Sequence, residues 1–208
     1  MSSCKLCSAG TYTAVTAQPS CLVCNAGSYA DQEGSTTCKS CDSGYSCEVG
    51  ATKMTSCGPG FYSNAKGQEE CTSCPPGKFS NGTSNTECID CDAGSYNPAS
   101  GATSCISCAL GTISISSGAV ACENCNPGSF NDQLGSSTCK LCEIGYAQNN
   151  AGQTACSACL AGTFADNLGF SECKDCPIGT YNDDDSWSIF DSCENCPAGK
   201  AQSQGGQS

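Results

Sequence analysis

The stretch Cys71-Thr72-Ser73-Cys74-Pro75-Pro76-Gly77-Lys78-Phe79-Ser80 sets the frame, because its cysteine pair returns as Cys88-Ile89-Asp90-Cys91 after thirteen intervening residues. The first cysteines of successive pairs are Cys4, Cys21 and Cys38, then Cys71, Cys88, Cys105, Cys122, Cys139, Cys156 and Cys173, and every step within the two runs is 17 residues. A fixed period of this kind marks a tandem repeat. Counted from the second cysteine of each pair, position 3 is glycine in all twelve copies, from Gly10 to Gly199. A residue without a Cβ in every copy points to a positive φ or a close backbone approach. Position 5 carries an aromatic in Tyr12, Tyr29, Tyr62, Phe79, Tyr96, Phe130, Phe164 and Tyr181, and position 10 is often a second glycine, as in Gly34 and Gly135. Ser, Thr, Asn and Asp fill the intervals, and these are turn formers.

No window sustains a helical period. The fold class that follows is small disulfide-rich repeats in an elongated linear array of short β-hairpins and turns, with little or no helix and no large hydrophobic core. Residues 1–208 read as a single tandem array of about twelve 17-residue units. The aromatic is expected to pack on the disulfide of the neighbouring unit. Two units are irregular. In residues 41–57, Met54 stands where the first cysteine of a pair should be, and Cys47 appears early. In residues 176–193 the cysteine loop is three residues longer and holds Asn182-Asp183-Asp184-Asp185-Ser186-Trp187, with the single Trp of the chain.

Composition agrees. Of 208 residues, 24 are Cys and 24 are Gly, whereas aromatics are only 7%. A chain of this length ordinarily buries a large apolar core; here covalent links must substitute for it, which places the protein in an oxidising compartment, outside the cell or at its surface. Net charge is −12, which disfavours nucleic acid and anionic membrane surfaces. No stretch is long and apolar enough for a membrane span. Met1-Ser2-Ser3-Cys4 is not a secretory leader, so a leader upstream, or an expression start at Met1, is expected.

Runs such as Cys74-Pro75-Pro76-Gly77-Lys78-Phe79-Ser80 and Cys176-Pro177-Ile178-Gly179-Thr180-Tyr181 resemble the ephrin-receptor-like cysteine-rich repeat, and also the first loop of tumour-necrosis-factor-receptor cysteine-rich domains. The resemblance spans essentially the whole chain. It implies an extracellular protein, since such repeats occur in receptor ectodomains and in long arrays of protist and algal surface proteins. Receptor versions alternate two module types; recurrence of one unit favours a structural array. The resemblance also supports a pairing in which the second cysteine of each pair bonds the first of the next: Cys7–Cys21, Cys24–Cys38, Cys57–Cys71, Cys74–Cys88, Cys91–Cys105, Cys108–Cys122, Cys125–Cys139, Cys142–Cys156, Cys159–Cys173 and Cys176–Cys193. Cys41 and Cys47 then pair locally, and Cys4 and Cys196 are left unpaired or inter-chain, as if the array continued past both ends. The rival is closure within each pair, with Cys47–Cys57; its two-residue spacer makes a strained, reducible bridge.

Other chemistry is weaker. A redox C-x2-C needs a βαβ context around one exposed pair. Four-thiolate zinc sites would require alternating pairs, and the repeat is uniform. The chain has no His, which removes haem attachment by C-x2-C-H and Ser-His or Cys-His catalysis. Glu69-Glu70 and Asp183-Asp184-Asp185 read as solvated loops rather than calcium cages, which need 6–8 oxygen ligands. Asn81-Gly82-Thr83 is an exposed glycosylation sequon. The expectation is a non-enzyme without cofactor or metal: an extracellular rod, spacer or filament or coat component, or alternatively a receptor ectodomain or adhesin. Its partners would be other copies or other coat and fibre proteins, without nucleic acid and without membrane insertion in this segment.

Overall fold

Glycine and turn residues recur too closely for long strands, and the chain answers with very short ones. In the computed structural model, which describes residues 4–183 and 192–206, each strand is two residues long and pairs antiparallel with one partner. Ser129 faces Leu141 and Phe130 faces Lys140 in one such hairpin. There is no helix among the described residues. A tight turn opens each hairpin: the Ser129 amide and Oγ both donate to the Asn126 carbonyl, at 3.0 and 2.7 Å. At the hairpin's base the Cys142 amide donates to the Gly128 carbonyl at 2.9 Å. The chain forms two compact bodies, Met1–Cys91 with Asn97–Cys105, and Asp92–Tyr96 with Ile106–Ser208.

Within each body the joint between consecutive repeats is made of backbone. Between the repeat of Cys125 and that of Cys142, Gly128 N donates to Gln148 O at 2.7 Å, Asn131 N to Gln153 O at 3.0 Å, and Gly152 N to Cys125 O at 2.8 Å. The same scheme recurs in the other body, for example from Gly44 N to Ser63 O at 2.8 Å and from Gly67 N to Cys41 O at 2.8 Å. Each such bond stabilises by only about 1 kcal/mol, but the set places two backbones at a fixed distance.

That distance explains what is buried. The second cysteine of each pair up to Cys176 forms the interior, with Cys24, Cys41 and Cys142 at 0% exposure. The aromatic at position 5 is only half-buried in Tyr29, Phe130 and Phe164. The residue after it is the interior one: Ala30, Cys47, Ser63, Ser80, Asn97, Asn131 and Ala165 are all buried. Alternate residues of a strand face opposite sides, and the inward side has room only for small side chains, because hydrogen-bonded backbones close it off. Polar residues there are satisfied. Asn131 Nδ2 donates to Thr112 O at 2.8 Å in the preceding repeat and to Gln133 O at 2.9 Å, and its Oδ1 accepts from Gln133 N at 3.0 Å. Asn97 makes the same pair of bonds to Lys78 and Ala99.

The second turn needs a left-handed residue at position 10. Where glycine is missing there, the conformation persists: Ala17 has φ 62° and Ser84 has φ 58°, and they are the two non-glycine residues with positive φ among those described. An L-residue in this region costs about 1–2 kcal/mol. Ala17→Gly and Ser84→Gly are therefore expected each to stabilise by about 1 kcal/mol, seen as a raised thermal midpoint of the oxidised protein. A lowered midpoint for both would contradict this account.

Candidate functional site

The chain's reactive side chains are its cysteines, and the hairpin decides where they meet. The two strands bring the second cysteine of one pair beside the first of the next, with Cα–Cα 5.7 Å in Cys74–Cys88, Cys91–Cys105 and Cys125–Cys139. The same bond joins Cys7–Cys21, Cys24–Cys38, Cys57–Cys71, Cys108–Cys122, Cys142–Cys156, Cys159–Cys173 and, across the longer loop, Cys176–Cys193. Cys41 bonds Cys47, six residues on. Cys47 occupies the small buried position after the aromatic position, and Met54 Sδ accepts from the Asp42 amide at 3.4 Å. Cys4 is free and exposed; Cys196 is free and half-buried. With the other cysteines oxidised in pairs, no adjacent C-x2-C pairs are left as thiolates to share a zinc ion. Among the described residues no group of three or more His, Cys, Asp or Glu is placed to hold a metal.

Asn81 is exposed at the start of a turn whose Gly82 carbonyl accepts from Asn85 Nδ2 at 2.7 Å. Glu69, Glu70 and Asp183 are exposed. Asp184, Asp185 and Trp187 lie outside the described residues.

The outer face repeats as well. In three hairpins a lysine just after the first cysteine crosses to the opposite strand. Lys39 Nζ is 2.9 Å from Asp31, Lys140 Nζ 2.8 Å from Asp132, and Lys174 Nζ 3.2 Å from Asp166. Each ammonium also lies over the aromatic of its own hairpin, 5.9 Å from the Tyr29 and Phe130 centroids and 5.8 Å from that of Phe164. Lys174 lies 4.5 Å over Phe170 too. The lysine hydrogen bond holds the carboxyls of Asp31, Asp132 and Asp166 below the usual carboxylate range. Folding lowers these values, so their contribution to stability is present above the ordinary aspartate pKa. It is lost as pH falls through the depressed folded value. Lys39→Met is expected to return the Asp31 titration, followed by carboxyl carbon NMR, upward to the ordinary range. An unmoved Asp31 curve would refute the assignment to Lys39.

Between consecutive repeats the surface is grooved. One wall is position 5 of the first repeat; the other is positions 1 and 4 of the next. Tyr62, Pro75, Lys78 and Glu87 line one such groove of about 560 Å³. Further along, Phe130, Glu143, Tyr146, Ala155 and Cys156 line another of about 270 Å³. The combination of aromatic walls with a carboxylate is invisible in the sequence until the repeats are aligned on their joints.

No curated protein matches the chain. The family described as tyrosine-protein kinase ephrin type A/B receptor-like matches residues 77–125, 128–169 and 162–208. It is a family of cysteine-rich receptor-like repeats rather than a catalytic one, and it implies an extracellular disulfide-rich array. Among the described residues no helix is long and apolar enough to cross a membrane. The matched tracts cover more than half of the chain and coincide with its hairpin repeats, and the chain belongs to the ephrin-receptor-like cysteine-rich repeat family.

Proposed function

We propose that the protein is a structural element of an extracellular surface, fibre or coat: a spacer built from a single array of about twelve repeats, without catalytic activity. The observation that carries this reading is the joint. Within each body, consecutive repeats are joined by backbone hydrogen bonds and small buried residues, such as Gly128 N to Gln148 O and Gly145 N to Ala165 O. A joint of this kind is indifferent to most side chains and can be copied many times, as a spacer requires. Its partners are other copies or other coat and fibre proteins.

A spacer is expected to be extended. A compact chain of this length has a radius of gyration near ~17 Å; small-angle scattering of the oxidised protein is expected to give a value well above it. A value at the compact figure would sink the spacer reading. A receptor ectodomain or adhesin is the second reading, favoured by the family's receptor-like character.

A further inference from the structure

The positions that line the groove of Phe130, Glu143 and Tyr146 recur in the other body, and the comparison shows what this groove lacks. Position 5 of one repeat and positions 1 and 4 of the next are Phe130, Glu143 and Tyr146 here, and Tyr29, Asp42 and Tyr45 there. In both places, as at Phe61, an aromatic at position 4 replaces the Ser or Thr whose hydroxyl closes the turn in most other repeats, as in Ser129 to Asn126 O and Thr163 to Leu160 O. Giving up that bond places a ring on the surface; Tyr146 is 41% exposed.

Beyond Phe130 for Tyr29 and Glu143 for Asp42, the two sites differ in the side chain brought beside the carboxylate. The bond from Gly67 N to Cys41 O, 2.8 Å, brings the residue before the glycine beside the residue after the cysteine. There Lys66 Nζ meets Asp42 Oδ1 at 2.8 Å. The equivalent bond from Gly169 N to Cys142 O, 2.9 Å, brings Leu168 beside Glu143. Leucine supplies no charge. The Glu143 carboxylate has no hydrogen-bond or ion-pair partner among the described residues, and it shares its groove with two aromatic rings. Phe130 already carries a lysine, Lys140, over its ring.

We propose that this groove is a docking site for a lysine or arginine side chain of a basic partner protein. Glu143 is the counter-charge, and Phe130 and Tyr146 are the aromatic walls. A carboxylate beside aromatic faces suits a cation on both counts, charge and ring quadrupole. At about 270 Å³ the groove is of a size for one side chain rather than a whole small-molecule ligand. The net charge of −12 draws a basic partner toward it.

The test is a titration of the full oxidised chain with an acetylated tri-lysine peptide, followed by NMR, with the tri-norleucine peptide as the neutral probe. The lysine peptide is expected to shift the Phe130 and Tyr146 ring signals, and the norleucine peptide is not. Glu143→Gln and Tyr146→Ser should each weaken binding roughly three- to tenfold. Tyr146→Ser installs the turn residue that other repeats carry, so it retains the hairpin. Leu168→Lys imports the internal cation of the Lys66 site and should weaken binding to a similar degree. Glu123→Gln, an exposed carboxylate outside the groove, removes one negative charge and should change affinity less than about twofold, as a screened surface charge does. If Glu143→Gln, Tyr146→Ser and Leu168→Lys act no more strongly than Glu123→Gln, the peptide is reading net charge and the site is refuted. If the chain dimerises in sedimentation and Leu168→Lys abolishes the dimer, the occupant is a second copy and the assignment to a basic partner is overturned.

Discussion

Gly60→Ala is expected to destabilise the protein far more than Gly101→Ala, although the two glycines have nearly the same backbone, φ 81° and φ 73°. The conformational penalty for alanine is the same at both, about 1–2 kcal/mol. The difference lies in what a Cβ would meet. At Gly101 the nearest atom is Ser73 Cβ, 3.8 Å away, an ordinary contact. At Gly60 the Cβ would overlap the backbone carbonyl of Gly101, two repeats on. That carbonyl cannot rotate aside as a side chain can. Relief requires the joint to open, with bonds such as Gly60 N to Ser80 O at 2.8 Å lost. We expect Gly60→Ala to cost about 4 kcal/mol or more, in the range reached only when a single change breaks a specific packing arrangement. The urea midpoint of the oxidised protein measures it, together with amide exchange at Gly60 and Cys74. Equal midpoints for the two variants would mean that the close approach is not a determinant of the fold.

Full reduction is expected to abolish the structure. The large aliphatic side chains available to hold a reduced chain together are on the outside: Leu6, Leu160 and Ile178 are 73, 78 and 72% exposed. The interior is cysteine, glycine and small residues, and each disulfide of sequence separation 14 closes a loop worth about 3 kcal/mol on the chain-entropy account. Ordering a 17-residue repeat costs on the order of 20 kcal/mol in backbone entropy, so hydrogen bonds, stacking and staples are needed together. Circular dichroism in reductant should therefore lose the native spectrum. A milder change localises the effect. Cys125→Ser with Cys139→Ser removes one staple and should cost about 3 kcal/mol in the amide protection of its own hairpin and its neighbours. The Ser28–Tyr29 hairpin, in the other body, should keep its protection. A reduced chain that retained native dichroism would overturn this account.

Several features of the fold are readable from spacing because they depend on backbone alone. Glycine at position 3 of every copy announces a left-handed turn with no room for a Cβ, and Gly128 has φ 83° with its would-be Cβ against the Gly169 carbonyl. The hairpins follow from turn residues recurring every few positions, which leaves space for strands of two residues and no helix. Cys47 and Met54 form one coupled departure: the cysteine absent at 54 is compensated at 47, which is bonded to Cys41.

The sequence predicts that the aromatic at position 5 packs on the neighbouring repeat's disulfide, and Phe130 shares its groove with Cys156 of the next repeat. It is only half-buried, beneath Lys140, and the interior place belongs to Asn131, 1% exposed. Sequence offers one signal for this, the run of Ala, Ser and Asn at position 6, but small polar residues are also what an exposed turn would carry. Likewise nothing in the local sequence tells Glu143 from the exposed acid Asp42. The difference is made by residues 168 and 66, in the next repeat.

The sequence by itself determined the repeat, its period, its disulfide-rich character and the places where a side chain is forbidden, since all of these are written in residue types that admit few backbone conformations. Tertiary structure alone decided which face of each two-residue strand is interior, which carbonyl stands against Gly60, that Ala17 and Ser84 take a left-handed turn without glycine, and that Asp42 is paired by a lysine of the next repeat while Glu143 is not. These depend on how closely one repeat's backbone approaches the next and the next but one. That distance is set by hydrogen bonds such as Gly152 N to Cys125 O at 2.8 Å, and no single repeat contains it.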